Sequence, residues 1–354
     1  LLSKDDISLV LMGDTQYHFM CELSNPPCRE ASRRCRLAAA DGDSGKSASA
    51  YPREEDCVAL ESRFANRVQR KGIEAFVADQ RYPPVALIIN GDLTNFGHFK
   101  EMHEFKAGWM HSFPLPILAG LGNHDYQNNI NDCAFNSCAR NMLWWFNEYA
   151  KNTSLAIDFD EKSLTGSLAY AKRLCSLTGK QCVHVIQLHN AIDYSVNFTA
   201  YIMEDWRVQS PFEFLRSQFN AIRDMDMPIL INMHQNEDAR DEKLKKFIDD
   251  WIYSTRALNV RRRIGVFFAH MHARHEVKTH CFHGVAVPFV YVGSVPNNRF
   301  TVISFGPSGD RINGYVVREE RAVLLDSLDD LWATPCNRSF LHYFHEQKTP
   351  LRRF

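Results

Sequence analysis

Ile7-Ser8-Leu9-Val10-Leu11-Met12-Gly13-Asp14-Thr15-Gln16 joins a mainly apolar run of strand length to a glycine, a carboxylate and an amide. A short apolar run closed by a turn signal reads as a buried strand. Gly13 lets the chain turn, so that Asp14 and Gln16 stand at the strand's carboxyl end. The same pattern recurs along the chain. Ala86–Asn90 precedes Gly91-Asp92, and Pro116–Leu121 precedes Gly122-Asn123-His124-Asp125. Pro228–Met233 precedes His234, and Gly265–Ala269 precedes His270-Met271-His272. Oxygen and imidazole groups delivered from the ends of several strands are what a two-metal hydrolytic site requires. Each fragment alone has a plainer reading: Asp14, Asp92 and Asn123 suit turns or helix N-caps, and a lone His234 suits a core. Their order on one chain favours a common site. His270 and His272, two apart, would point to one face if they lay in a strand.

Between these runs the periodicity is helical: Val58–Gln80, His98–Met110, Met142–Tyr149, Phe212–Met225 and Lys243–Thr255 read as helices. Ser167–Ala171 and Val183–Leu188 read as antiparallel neighbours across a Cys175–Cys182 turn. The short runs Phe289–Val292, Val302–Phe305 and Tyr315–Val317 suit a second sheet. Strands alternating with helices argue an α/β architecture. Residues 20–56, rich in Ser, Ala, Pro, Asp and Cys, read as an insertion. Residues 1–320 then form one domain, and residues 321–354 form a C-terminal extension packed on it.

The 354 residues are 45% hydrophobic and 23% charged, with a formal net charge of -1, which gives no sign of a nucleic-acid partner. The basic clusters Arg33–Arg36 and Arg261–Arg263 are short and read as solvated faces. No apolar run approaches a membrane span. Ten cysteines fit five disulfides, with Cys133/Cys138 and Cys175/Cys182 spaced to close local loops. Asn152-Thr153-Ser154, Asn197-Phe198-Thr199 and Asn337-Arg338-Ser339 are glycosylation sequons. Together these features favour a secreted or lumenal protein. The opening Leu1-Leu2-Ser3-Lys4 reads as a mature chain after leader removal.

In order and spacing, the motifs from Asp14 to His272 resemble those of the calcineurin-like metallophosphoesterase superfamily. The resemblance implies an α/β fold, a four-layer αββα sandwich of two mixed sheets flanked by helices. It also implies two divalent metal ions at the strand ends. Carried onto this chain, one ion is held by Asp14, Gln16 and His272, the other by Asn123, His234 and His270. Asp92 bridges both, with a water or hydroxide shared between them. His124 stands beside the ions as a catalytic group that stabilises phosphoryl oxygens or protonates the leaving group. Asp125 is expected to orient His124.

Most of the superfamily has His where this chain has Gln16. An amide oxygen is a harder and weaker ligand, which leans toward Mg or Mn while leaving Zn and Fe open. Alternatively Gln16 does not ligate, and His18 or a water takes its place. Purple acid phosphatases carry Tyr three residues after the bridging carboxylate; here that residue is Asn95. Gly91–Gly97 looks closer to the phosphodiesterase-like branch. The implied function is a metallophosphoesterase that prefers diesters. The alternatives are a phosphomonoesterase, a sphingomyelinase-like lipid phosphodiesterase, and a metal-binding scaffold without turnover. The implied partner is a phosphate ester, with phospholipids and nucleotides both open. His18, His98 and Asn236 are the candidate substrate contacts. His275, His280 and His283 read as surface or loop residues.

Overall fold

The computed structural model describes residues 2–18, 33, 35, 54–111, 113–236, 238–332, 336 and 339–344. The insertion expected at 20–56, with Cys21, Cys28 and half of Arg33–Arg36, lies almost wholly outside the described residues, as does Asn337. The strands are β1 (Ile7–Met12), β2 (Leu87–Ile89), β3 (Ile117–Ala119), β4 (Ile157–Asp160), β5 (Thr165–Cys175), β6 (Cys182–Gln187), β7 (Val196–Ala200) and β8 (Glu204–Val208). They continue as β9 (Ile229–Asn232), β10 (Ile264–Phe268), β11 (His275–Phe282), β12 (Val285–Val292), β13 (Arg299–Phe305), β14 (Arg311–Arg318), β15 (Arg321–Asp329) and β16 (Phe340–Tyr343). The α-helices are α1 (Glu54–Ala78), α2 (Phe99–Phe105), α3 (Ser137–Asn152), α4 (Phe212–Ala221) and α5 (Asp238–Thr255).

Two mixed sheets result, flanked by helices. One has 6 strands in the order β15-β14-β13-β1-β2-β3, with β1, β2 and β3 parallel. The other has 10 strands in the order β16-β11-β12-β10-β9-β6-β5-β8-β7, with β4 paired to β5. All of β1 is buried, as expected of a strand covered on both faces. Alternation sorts the second sheet's side chains: Leu230 and Phe267 join the core between the sheets, while Ile229, Ile231, Val266 and Phe268 join a second core under α4 and α5. α1 covers the outer face of the first sheet, touching β14 and β15. The layers are therefore helix, sheet, sheet, helix, as the resemblance implied.

The tail does not make a sheet of its own. β12 belongs to the larger sheet, whereas β13 returns to pair antiparallel with β1, followed by β14 and β15. The crossing is at Gly293, whose φ is +86° and whose carbonyl accepts from Gly13 N–H at 3.1 Å; a Cβ there would meet Arg299 at 2.8 Å. A register signal for β1 against β13 is absent from local periodicity, so the pairing could not be read from the runs alone. The region expected as one helix from His98 becomes α2 followed by a π-turn, Lys106–Met110. There Gly108 leaves room for the Tyr17 hydroxyl, which a Cβ would approach to 1.9 Å. α4 stops at Ala221, short of the expected Met225.

Four disulfides occur among the described residues: Cys35–Cys57, Cys133–Cys138, Cys175–Cys182 and Cys281–Cys336. Asn152 and Asn197 are exposed. Among the described residues no helix is long and apolar enough to cross a membrane. Arg262 and Arg263 are buried, contrary to the expected solvated face. Arg262 lies 4.5 Å over Trp251, and Arg263 bonds Asp226 and Asp310. His275 is likewise buried, against Thr301 and Phe344, because it opens β11 on its inward face.

Candidate metal centre

The five motifs meet at the carboxyl ends of β1, β2, β3, β9 and β10. Past the strands, the first two loops stay zipped: Asp14 N–H bonds Gly91 O at 3.0 Å, and Gln16 N–H bonds Asp92 O at 2.8 Å. Helix α1 holds the same loop from behind, with Asn66 Nδ2 donating to Thr15 O at 2.7 Å. Asp14 (φ 55°), Gln16 (φ 34°), Asp92 (φ 51°) and His270 (φ 64°) all adopt left-handed backbone. Such non-glycine conformations are costly and gather at functional sites. Close approach also fixes the glycines. A Cβ on Gly122 would stand 2.1 Å from Asp92 Oδ1, and one on Gly91 would stand 2.8 Å from His234 Nδ1.

His234 is the centre of the cluster. Its Nδ1 bonds the Asn90 carbonyl at 2.8 Å. A carbonyl only accepts, so Nδ1 carries the proton and Nε2 faces inward. Nε2 lies 3.0 Å from Asn123 Oδ1, 3.0 Å from Asp92 Oδ2 and 3.2 Å from His270 Nδ1. Beside them, Asp14 Oδ1 accepts from His270 N–H at 3.2 Å and lies 3.4 Å from His272 Nε2. The structure therefore brings Asp14, Asp92, Asn123, His234, His270 and His272 together. Gln16 is also buried in the adjoining loop. The two histidines of His270-Met271-His272 do so from a turn, since β10 ends at Phe268. Strand alternation is not what aims them. Ser294 and Asn297 side chains donate to the His272 carbonyl, at 3.0 and 2.8 Å, and pin that turn.

Burial opposes charge on His234, but the Asp92 and Asp14 carboxylates outweigh it and push it up to about 9. Burial likewise opposes ionisation of Asp92, yet His234 and His124 hold it below the usual carboxylate range. His270 is lowered by burial and by His234.

The donor set fits divalent cations. Asp14 Oδ2 and both amide atoms of Gln16 are buried without a hydrogen-bond partner, and Asp92 Oδ2 is buried with the His234 ring beside it. Orphaned buried oxygens are expensive unless something cationic is to sit among them. Carboxylate, amide and imidazole donors together suit Mg, Mn, Fe or Zn. Another grouping, His98 with Cys133 and Cys138, offers no thiolate because its cysteines are paired.

The remaining expected residues fall in different places. His124 backbone N–H bonds Asp92 Oδ1 at 3.0 Å, and its Nδ1 bonds the Asn95 carbonyl at 2.9 Å. The Asn95 carbonyl, not Asp125, therefore orients the ring. The Asp125 carboxylate instead accepts from Leu93, Thr94 and Gly122, tying the second loop to the third. It has been drawn beneath the loop by those donors, while burial and Asp92 push it up to about 7. His18 Nε2 pairs with Glu104 at 3.2 Å. His98 stacks on Phe96 at 5.8 Å, and Phe96 meets His124 edge-on at 6.1 Å. Asn236 Nδ2 bonds Asp241 at 3.2 Å.

Sequence reasoning missed two supports. Asn90, with Gln187 and Asn232, forms a buried amide chain between the sheets that holds the His234 partner carbonyl. His189, which follows β6, accepts Leu121 N–H at Nδ1 (3.0 Å), bonds Leu168 O at Nε2 (2.6 Å), and takes His234 N–H on its own carbonyl (2.7 Å). Its signal was present: Leu188-His189-Asn190 repeats the pattern of an apolar strand ending in polar residues.

The fold and cluster define a class: a two-sheet α/β sandwich with a multi-residue, cation-suited site at its strand ends. No family model matches the chain, and no curated protein matches it. Among solved structures it is similar to the 5'-nucleotidase from Candida albicans SC5314, at 13% identity and a TM-score of 0.46. The match takes in 86% of this chain and 47% of that one, so the chain spans about half that protein's length.

Proposed function

We propose that this chain is a metal-dependent phosphoesterase that prefers diesters, acting in the secretory pathway or outside the cell. The observation that supports it most is the inward Nε2 of His234, faced by Asp92 Oδ2, Asn123 Oδ1 and His270 Nδ1 within 3.2 Å. With Nδ1 committed to Asn90, His234 Nε2 needs a proton or a cation between itself and these atoms, and a divalent ion can take the proton's place. In this reading Asp14, Gln16 and His272 hold one ion, Asn123, His234 and His270 hold another, and Asp92 spans both. Bound divalent ions would lower the pKa of water and neutralise charge on the phosphoryl group.

The chain's own part is positional and protic. The Asn95 carbonyl holds the His124 Nδ1 proton, so Nε2 is the free ring position, and the ring in its imidazolium form would deliver the Nε2 proton to the leaving oxygen. Asp125 holds the loops that carry Asp92 and His124 in register. Diester preference follows the resemblance of Gly91–Gly97 to the phosphodiesterase-like branch. Disulfides and exposed sequon asparagines support the compartment. Residues 1–320 make the catalytic domain in this reading, with 321–354 as its extension.

The test is turnover of bis(p-nitrophenyl) phosphate and p-nitrophenyl phosphate by the full chain, before and after chelation and reloading. Chelator-sensitive hydrolysis, faster on the diester, is expected. Metal uptake without hydrolysis of either ester or of a lipid diester would make the chain a scaffold instead.

A further inference from the structure

The turn between β7 and β8 carries Tyr201, Ile202 and Met203, which are 46%, 78% and 88% exposed. Tyr201 (φ 47°) and Ile202 (φ 74°) adopt left-handed backbone. Hairpin turns of this kind are normally filled by Asn, Asp or Gly, and a β-branched residue there is a true outlier. Folding alone would select against both side chains. Phe135 repeats the anomaly at φ 55° and 62% exposure. Its carbonyl accepts from Tyr201 N–H at 3.3 Å, so the two protrusions are joined, and the Cys133–Cys138 disulfide braces the Phe135 loop.

This edge is continuous with the candidate site. A His98 ring nitrogen lies within 4.8 Å of the Cys133 and Cys138 sulfurs, and the stacked pair His98 and Phe96 leads to His124. Phe99, next to His98, is 85% exposed. Cations stand behind the apolar tips. Lys106 lies 5.4 Å over Trp145 and Lys100, beside Phe99, is exposed, whereas Arg140, 5.2 Å over the Tyr201 ring, is held by Glu204 through two nitrogens at 2.8 Å. Lys106, His103, Met102, Asn141 and Phe99 line a cavity of about 380 Å³. Of the carboxylates nearby, Glu204 pairs with Arg140 and Glu101 with His98, while Asp132 of the Phe135 loop is exposed. Exposed Leu177 stands outside this grouping, as single surface residues ordinarily do.

We infer that this rim is a docking edge for a phospholipid surface, with Phe99, Phe135, Tyr201, Ile202 and Met203 entering the headgroup boundary and Lys100 and Lys106 meeting phosphates. Apolar points backed by cations match the layering of a bilayer interface, apolar below and anionic above. Separate protrusions on three segments offer no groove for a folded partner. Docking stands apart from the catalytic reading. That it would bring lipid phosphoesters to the metal centre rests on that reading.

The test is co-sedimentation of the full chain with phosphatidylcholine vesicles, with and without phosphatidylserine, using the unaltered chain and an Ile202→Asn/Met203→Ser variant. The variant suits its turn better and should fold at least as well. It should lose about tenfold or more in vesicle affinity while keeping turnover of soluble esters. Phosphatidylserine should strengthen binding of the unaltered chain. Failure of that chain to bind either vesicle, or equal binding by the variant, would overturn the proposal. So would a concentration-dependent dimer in sedimentation velocity that the variant dissolves, since the rim would then be a self-interface. Vesicle binding without ester hydrolysis would sustain docking while removing the proposed activity.

Discussion

His234 Nε2 and His270 Nδ1 stand 3.2 Å apart, with His234 Nδ1 committed to the Asn90 carbonyl. In the metal-free chain His234, pushed up to about 9 by Asp92 and Asp14 against burial, keeps a proton on Nε2. A cation entering the cluster must displace that proton. Below pH 9, affinity for a divalent ion should therefore rise about tenfold per pH unit, with release of about one proton. Calorimetric titration in buffers of different ionisation enthalpy reads the proton directly. Affinity that does not change with pH would show that His234 is not displaced.

Asp92 is tied to His234 at Oδ2 and to the His124 backbone at Oδ1, and its carbonyl accepts from Gln16 N–H. Asp92→Ala should remove bound metal and turnover together. Gly122→Ala, which thrusts a Cβ to 2.1 Å from Asp92 Oδ1, should do nearly the same without removing any ligand. Metal analysis of both variants beside circular dichroism separates loss of the site from loss of the fold.

His124→Ala should behave differently. Its ring bonds only a backbone carbonyl, so metal content should hold while turnover falls about 10²–10⁴-fold. Loss of metal in this variant would mean that His124 is a ligand.

Gln16 contributes two buried amide atoms without partners. Gln16→Leu removes that desolvation cost and should stabilise the metal-free chain by about 1–3 kcal/mol, while weakening metal binding. Urea unfolding with and without metal measures both signs. Stability unchanged in both states would show that the amide is indifferent to its surroundings.

His189 is held at about 4, well below its ordinary 6.5, by burial that its bond to Leu168 offsets only in part. An unfolded chain therefore binds the extra proton first. The stability from neutral His189 is complete above about pH 6.5 and is lost as pH falls toward 4, about 3 kcal/mol in all. Buried His275, at about 3, adds a loss of the same sign. His189→Gln should flatten, but not abolish, the slope of stability between pH 6.5 and 4.

The layers and the loops that form the cluster were legible because both depend on local pattern. An apolar strand, a glycine and a polar residue recur wherever a side chain must stand at a sheet's end. What local pattern lacks is partner choice. The return of β13 to β1 is set by which edge is open and by Gly293, neither visible in a hydrophobic run. His270 and His272 converge from a turn, so the strand geometry expected of them is not what brings them together. Asp125 sits next to His124 in sequence, but three donors on the neighbouring loop and Gly122 N–H on its own compete for its carboxylate and win. His189 and Asn90 act through backbone groups far away in sequence, and only the folded chain brings those together.

The central claim is that Asp92 lies between two cations held by the two halves of this cluster. Anomalous scattering from a manganese-loaded crystal tests it directly. The account predicts two peaks, one among Asp14, Gln16 and His272 and one among Asn123, His234 and His270, both in contact with Asp92. A single peak, or peaks elsewhere with these residues still bonded to one another, would contradict it.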